Sequence, residues 1–457
     1  MTKSAAIQTQ IPGVTTEGAI PIINRNKTSF SDPAFSKNKT LPIHRWAPWI
    51  AGFSSDFVSD VIREFVPCRR GLVLDPFAGV GTTLLEARLH NHETIGFEIN
   101  PYAVFTCETK LTSDQIHVSE LINEINRFEE YYIICLRSNY TPKNSAPKGF
   151  KTRSEFYNPK ILNKVLIVLD FIDSIENELI KNLFRLAFAS TMVTYSNYSY
   201  EPSLGRRTHA GKGSIDDCPV EQVICKKLNE MVEDIIWFKK GLTNETPAPK
   251  VISDSFFEFK KYLSSDSIDL IITSPPYLNN YHYNRNTRPQ LYWLGYVSHP
   301  HDLIKYEYEN FGTFWQTVRD KEKMELIFEL PDSSLEDLLE LLSKKNTDKG
   351  VYGGHGWANY ATAYFNDCYR FSLAMREVLK EGGTAVVVLG NSILQGIMIP
   401  TDQYLADIAK SVGLDVLGID IPRSKRIGNS IIQSNVRANK AESTHKLYEA
   451  VIKLRKS

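Results

Sequence analysis

The sequence predicts an α/β protein, a doubly wound and mostly parallel sheet carrying a helical insertion. Three observations point there. Residues 71–100, GLVLDPFAGVGTTLLEARLHNHETIGFEIN, read as strand, glycine turn, helix and strand, which is a βαβ unit. IDLIIT at 268–273 is a short apolar run of the kind that fits a central parallel strand. Between these lies a stretch whose apolar residues recur at helical spacing.

Each element has its own signal. Residues 1–40 are rich in Thr, Ser, Asn, Lys and Pro and are expected to form an arm over the surface. Leu72 to Leu74 run into Asp75, helix propensity resumes at Thr82, and TIGFE supplies the next strand. Polar breaks at 137–154 and 241–250 bracket the middle section. There, Asn158 can cap a helix whose first position is Pro159, and ILNKVLIVLDFI supplies enough apolar residues to bury most of its circumference. A second helix, about 176 to 194, carries Leu179, Leu183, Leu186, Phe188 and Met192. Further on, Phe371, Met375, Val378 and Leu379 mark a helix expected to stop at Gly382-Gly383. TAVVVLGNS follows as a buried strand, and HKLYEAVIKLRKS closes the chain as another. The expected division is an arm at 1–40, a catalytic unit at 41–105 and 251–457, and a helical insertion at 106–250 that contacts the target.

Composition bounds the function. At 457 residues, with 42% hydrophobic and 23% charged, the chain is an ordinary globular protein of more than one domain. Lys plus Arg and Asp plus Glu both number 53, so any nucleic-acid surface must be a local patch. The N-terminus lacks the apolar core of a signal peptide, and no stretch approaches a membrane span; a soluble, cytoplasmic protein is expected. Six cysteines, at 68, 107, 135, 218, 225 and 368, lack C-x-x-C spacing and paired histidines, so free thiols and no metal are expected.

Two strand ends carry unusual chemistry. In such sheets ligands sit beyond the carboxyl ends of the strands, where strand order reverses. The first end is DPFAGVGTT: Gly79 and Gly81 let the backbone turn tightly, and Asp75 sets a carboxylate beside the turn. No lysine follows the last glycine and the third glycine of G-x-G-x-x-G is missing, so neither phosphate motif is present. Glu98 closes the next strand, where a carboxylate can accept two hydrogen bonds from a ribose diol. A nucleoside with a cationic tail suits both carboxylates, and S-adenosylmethionine is such a ligand. The second end is S-P-P-Y at 274–277. Pro275 and Pro276 end the ladder, so the Pro275 carbonyl and Ser274 can accept from an exocyclic amine while Tyr277 offers a flat face to a base. A plain Pro-Pro turn or a surface polyproline ligand is the alternative; the buried run before it argues against a surface site.

DPFAGVGTT together with TSPPY resembles the DNA amino-methyltransferases, which methylate N4 of cytosine or N6 of adenine from S-adenosylmethionine. The resemblance implies a seven-stranded, Rossmann-like methyltransferase sheet. It implies cofactor contacts at Asp75, Pro76, Phe77, Gly79, Gly81, Thr82 and Glu98, and base contacts at Ser274, Pro275, Pro276 and Tyr277. HRWAPWIAGFSSDFV at 44–58 is similar to the family's N-terminal segment over the methionine part, with Phe53 and Ser54 before a helix. Asp254 stands where a strand-end residue would reach the adenine ring. Serine before Pro-Pro-Tyr resembles the cytosine-N4 branch more than the adenine-N6 branch. A cytosine-C5 enzyme would need Pro-Cys after the glycine motif; Pro67-Cys68 precedes it and Cys218-Pro219 is reversed.

The implied partner is double-stranded DNA, with a cognate restriction nuclease where the enzyme serves restriction-modification or phage defence. Phosphate and stacking contacts are expected from Tyr198, Arg206, Arg207 and Lys212 before the motif, and from Tyr281, Arg285 and Arg288 after it. Arg423, Lys425 and Arg426 form a third basic candidate. Two other functions stay open: an RNA methyltransferase of the tRNA guanine-N2 kind, and a non-catalytic DNA-binding specificity subunit that keeps the fold.

Overall fold

A computed structural model describes residues 30–47, 49, 52–66, 70–200, 204–243, 245–278, 283–425 and 447–457. Helix α1 (Ser55–Phe65) precedes β1 (Leu72–Asp75), α2 (Thr82–Leu89), β2 (Glu93–Phe97) and α3 (Pro101–Leu111). Four longer helices follow: α4 (Val118–Arg137), α5 (Pro159–Asp173), α6 (Glu178–Thr191) and α7 (Val220–Gly241). The chain returns to the sheet as β3 (Lys250–Ile252) and β4 (Ile268–Thr273). It then leaves through α8 (Tyr283–Asn286), α9 (Arg288–Trp293), α10 (Asp302–Tyr308), α11 (Trp315–Val318) and α12 (Leu335–Lys344). Finally come α13 (His355–Val378), β5 (Leu379–Gly390), α14 (Thr401–Ser411), β6 (Leu414–Lys425) and β7 (Leu447–Lys456).

The strands form one seven-stranded sheet in the order β6-β7-β5-β4-β1-β2-β3. β7 runs antiparallel to both of its neighbours, and the remaining pairs are parallel. Strand order therefore moves outward from β1 to β3 and then returns across β1 to β4. The reversal lies between β1 and β4, where a ligand site is expected.

Burial on both faces explains the continuous apolar runs. Along β4, Ile268 and Ile271 enter the core beneath α13 and α14, while Leu270 and Ile272 enter the core beneath α1. All six residues of β4 are buried, and each large aliphatic among them contributes roughly 1.5–3 kcal/mol relative to exposure. Asp269 is the exception in kind, and its carboxylate accepts from Leu72 N at 2.9 Å and Lys380 Nζ at 2.8 Å.

The middle section is helical as expected, with Phe128, Phe171 and Phe184 packed at ring distances of 5.0 to 5.8 Å. It also holds a short hairpin, Tyr198–Tyr200 with Leu204–Arg206. From α7, Asp234 reaches the N-terminal segment and accepts from Ile43 N, Arg45 and Trp46 Nε1.

Two expectations differ from what is found. The long helix ends at Val378, before Gly382-Gly383, and β5 has already begun. Pairing along β4 jumps from Ile268–Leu379 to Leu270–Thr384, so the glycine pair forms a bulge in the strand, with Gly382 at φ +75°. Residues 30–40, expected in a surface arm, are built into the fold: Phe30 packs against Phe57, and the Asn38 side chain bonds Phe53 O and Ser55 N. Residues 1–29 of that arm lie outside the described residues.

Candidate active site

The carboxyl ends of β1, β2, β3 and β4 carry Asp75, Glu98, Asp254 and Ser274 respectively. Beside them is a cleft of about 740 Å3, including space open to solvent, lined by Pro76, Phe77, Gly79, Glu98, Asp254, Ser274 and Pro276. Two motifs far apart in the chain thus share one cavity.

The glycine turn forms because nothing else fits. Gly79 and Gly81 have φ of +51° and +84°, values that L side chains rarely adopt. A Cβ on Gly81 would lie 2.5 Å from Cys107 Sγ, and one on Gly79 would lie 3.0 Å from Trp49 Nε1. Gly81 caps α2, whose buried first residue is Thr82, and neither lines the cleft. Asp75 is 1% exposed. Its Oδ1 accepts from Phe77 N at 3.0 Å and Thr273 Oγ1 at 2.6 Å, so it shapes the turn from behind the wall. Burial pushes its pKa up to about 6, against the pull of these donors.

Glu98 is partly exposed and accepts from Gly79 N at 2.9 Å and Asn100 N at 2.8 Å. This fastens the glycine turn of β1 to the end of β2. Burial pushes the Glu98 carboxyl up to about 7, with the backbone donors opposing. Asp254 accepts from Ser255 N and Tyr262 Oη, both at 2.8 Å. Among the described residues, the charged side chains lining the cleft are Glu98, Asp254 and Glu309, with no lysine, arginine or histidine. Such a lining attracts a cationic ligand and repels a pyrophosphate.

At the other wall, Ser274 and Pro276 face the cleft and Pro275 is buried. The Tyr277 ring lies over Gly390, where a Cβ would come within 2.9 Å of it, and its hydroxyl is 3.5 Å from Ser274 Oγ. Ser392 Oγ donates to Leu278 O and anchors the same loop.

Several expected residues sit elsewhere. Phe53 is buried against Phe57. Ser54 caps α1 by accepting from Phe57 N, and it donates to Asp32 O. Both are absent from the cleft lining, to which the same segment contributes Trp49 instead. Tyr198 is buried and stacked on Phe156, and its hydroxyl accepts from Ser154 N; a buried ring cannot stack on a base. Arg206 pairs with His209, Arg207 Nε donates to Gly213 O at 3.1 Å, and Lys212 is exposed. Arg285 is exposed, and Arg288 donates to Lys151 O. Tyr281 and Arg426 lie outside the described residues, as does Cys68. The described cysteines are free thiols, and among the described residues no helix is long and apolar enough to cross a membrane.

Other lining residues had no sequence motif. Phe311 arrives from the α10–α11 turn, meets Phe77 edge-on at 5.4 Å and stacks on Phe257 at 6.1 Å. Glu309, Asn310 and, from α8, Asn284 accompany it. Asn100, also unread in the sequence, did have a signal: Asn before Pro101 marks a helix start, and its Oδ1 accepts from Tyr102 N at the head of α3.

The DNA methylase family profile matches residues 27–108. The chain is 24% identical over 435 residues to the Type II methyltransferase M.BsoBI of Geobacillus stearothermophilus, covering 87% of this chain and 83% of that one. It is 24% identical over 444 residues to the Type II methyltransferase M.AvaI of Nostoc sp., covering 89% and 86%. Among solved structures, the rRNA methyltransferase aviRa of Streptomyces viridochromogenes aligns over 94% of this chain and 96% of its own, at 8% identity and a TM-score of 0.31. That likeness is too loose to add to the strand order.

Proposed function

Taking as premise that the chain is an amino-methyltransferase of the N4/N6 DNA methylase family, we propose that it methylates the exocyclic amine of a flipped base, N4 of cytosine, in restriction-modification. The observation that carries this is the shared cleft, in which Ser274 and Pro276 of the S-P-P-Y loop line the same cavity as Gly79, Glu98 and Asp254. S-adenosylmethionine, the methyl donor that the family implies, would supply an electrophilic methyl group on a sulfonium. The lining fits that ligand, because among the described residues its charges are carboxylates without a competing cation. Glu98 would accept from the ribose hydroxyls, Asp254 would lie beside the adenine, and the Pro76–Gly79 turn would hold the amino-acid end.

Ser274 Oγ and the Pro275 carbonyl accept the two amine hydrogens of the target base. Two acceptors draw the nitrogen toward tetrahedral geometry and localise its lone pair, which makes it the nucleophile. Acceptors already in place for the positive charge that grows there stabilise the transition state, and holding both reactants in one cleft removes part of the entropic barrier. The proton leaves late, to Ser274 or an associated water. Tyr277 offers its ring to a base rotated out of the duplex, offsetting the few kcal/mol of lost stacking. Serine rather than aspartate at position 274, which resembles the cytosine-N4 branch more than the adenine-N6 branch, is the reason for choosing cytosine.

The test is transfer of a labelled methyl group from S-adenosylmethionine to duplex DNA, followed by nucleoside mass spectrometry. N4-methylcytosine is the expected product. N6-methyladenine would keep the chemistry and overturn the choice of base; label in RNA alone would overturn the substrate.

A further inference from the structure

A second cleft lies on the insertion side, about 1340 Å3 including space open to solvent, where the 138–154 loop meets the 294–300 turn. Its charge is opposite to that of the first. Lys148, Lys151 and His299 line it, and among the described residues no aspartate or glutamate does. The loop itself contains Lys143, Lys148, Lys151 and Arg153 between residues 138 and 154, with no acidic residue. All four of these cations are exposed, as is His299.

The groove is built, and is not merely a charged tail. Asp170 on α5 accepts from Tyr140 Oη, Lys143 N, Asn144 N and Asn144 Nδ2 at 2.7 to 3.0 Å, which fixes the start of the loop. Gly149 packs so closely on the 294–300 turn that a Cβ there would lie 1.8 Å from Ser298 O. Arg288 closes one side, donating to Lys151 O at 2.9 Å with its guanidinium over Phe150 and Tyr292. The nearby carboxylate of Asp302 is occupied by Ser298 N and His299 N.

The chain links the groove to the active site. Asn284 lines the first cleft and Trp293 the second. The short segment between them spans at most about 30 Å even when fully extended, less than one turn of B-DNA, about 34 Å. The two clefts are therefore less than one turn of duplex apart, close enough for one duplex to engage both.

We infer that this groove is a docking site for the phosphate backbone of the DNA duplex, with Lys148 and Lys151 as phosphate contacts and Arg288 as the residue that positions Lys151. The inference rests on the proposed DNA substrate and adds where the duplex is held. Phosphate contacts set register and affinity without reading sequence, so this surface serves any duplex.

The experiment is fluorescence anisotropy on a mixed-sequence duplex of roughly 30 base pairs across a salt series. Each phosphate contact steepens the plot of log affinity against log salt by about 0.9. Lys148→Ala/Lys151→Ala is expected to flatten the slope by about 2 and to leave S-adenosylmethionine binding unchanged. Lys239→Ala/Lys240→Ala, which removes the same charge from exposed positions on α7, is expected to leave the slope as it was. Equal flattening in both variants, or none in the first, overturns the inference while the DNA substrate stands. A wild-type protein that binds S-adenosylmethionine but no duplex overturns the substrate reading, and the docking site with it.

Discussion

Glu98 carries more of the site than its place at a strand end suggests, because one carboxylate both fastens the Gly79 turn and faces the cleft. Burial holds it near 7, whereas ribose hydroxyls would donate to its ionised form. Below that value a proton must leave before the ligand binds. Affinity for S-adenosylmethionine is therefore expected to fall as pH drops from about 8 to about 5.5, by up to about tenfold per unit below 7. Glu98→Gln should weaken binding by about 1.5–3 kcal/mol and flatten the profile; calorimetry at several pH values checks both. An equally steep profile in the variant would assign the titration to another group. Residue types at strand ends made Asp75, Glu98, Asp254 and Ser274 legible in the sequence. Whether a side chain lines the cleft or stands behind its wall depends on packing, and so Asp75 is buried where a ligand contact was expected.

Among the elements, the β1–α2 turn depends most on residue type. Gly81 combines a positive φ with a Cβ position already filled by Cys107 Sγ from α3. Gly81→Ala is expected to lose roughly 2 kcal/mol or more, combining about 1–2 for the left-handed conformation with the overlap. Adding Cys107→Ala should restore the second part alone. Urea unfolding of both variants checks this; full recovery in the double variant would mean that the backbone is unstrained. Periodicity located β1, β2, β4, α5 and α6 because their apolar patterns follow from burial on known faces. It misplaced the end of α13, since a glycine pair can cap a helix or bulge a strand and only the pairing with β4 decides. It also missed the α10–α11 turn, which reaches the cleft through Phe311 and has no repeating pattern of its own.

Across the whole molecule, one sheet brings together motifs at 75–83 and 274–277, and the helical section between them is tied to the N-terminal segment. Asp234 on α7 holds Ile43, Arg45 and Trp46 in the segment that leads to Trp49. The two clefts divide the charges of a chain whose formal net charge is zero. Carboxylates line the one proposed for a cation, and lysines line the one proposed for phosphates. Composition could not reveal that separation, because it is a property of how the chain is folded. S-P-P-Y is proposed to act on the base in a cleft whose other wall holds the methyl donor. Single-turnover methyl transfer by Ser274→Ala, with S-adenosylmethionine affinity measured on the same sample, tests it most directly. Affinity is expected to stay within about twofold of wild type and transfer to slow by about 100-fold or more, the scale of losing one preorganised hydrogen-bonding group in a transition state. Transfer at the wild-type rate would contradict it.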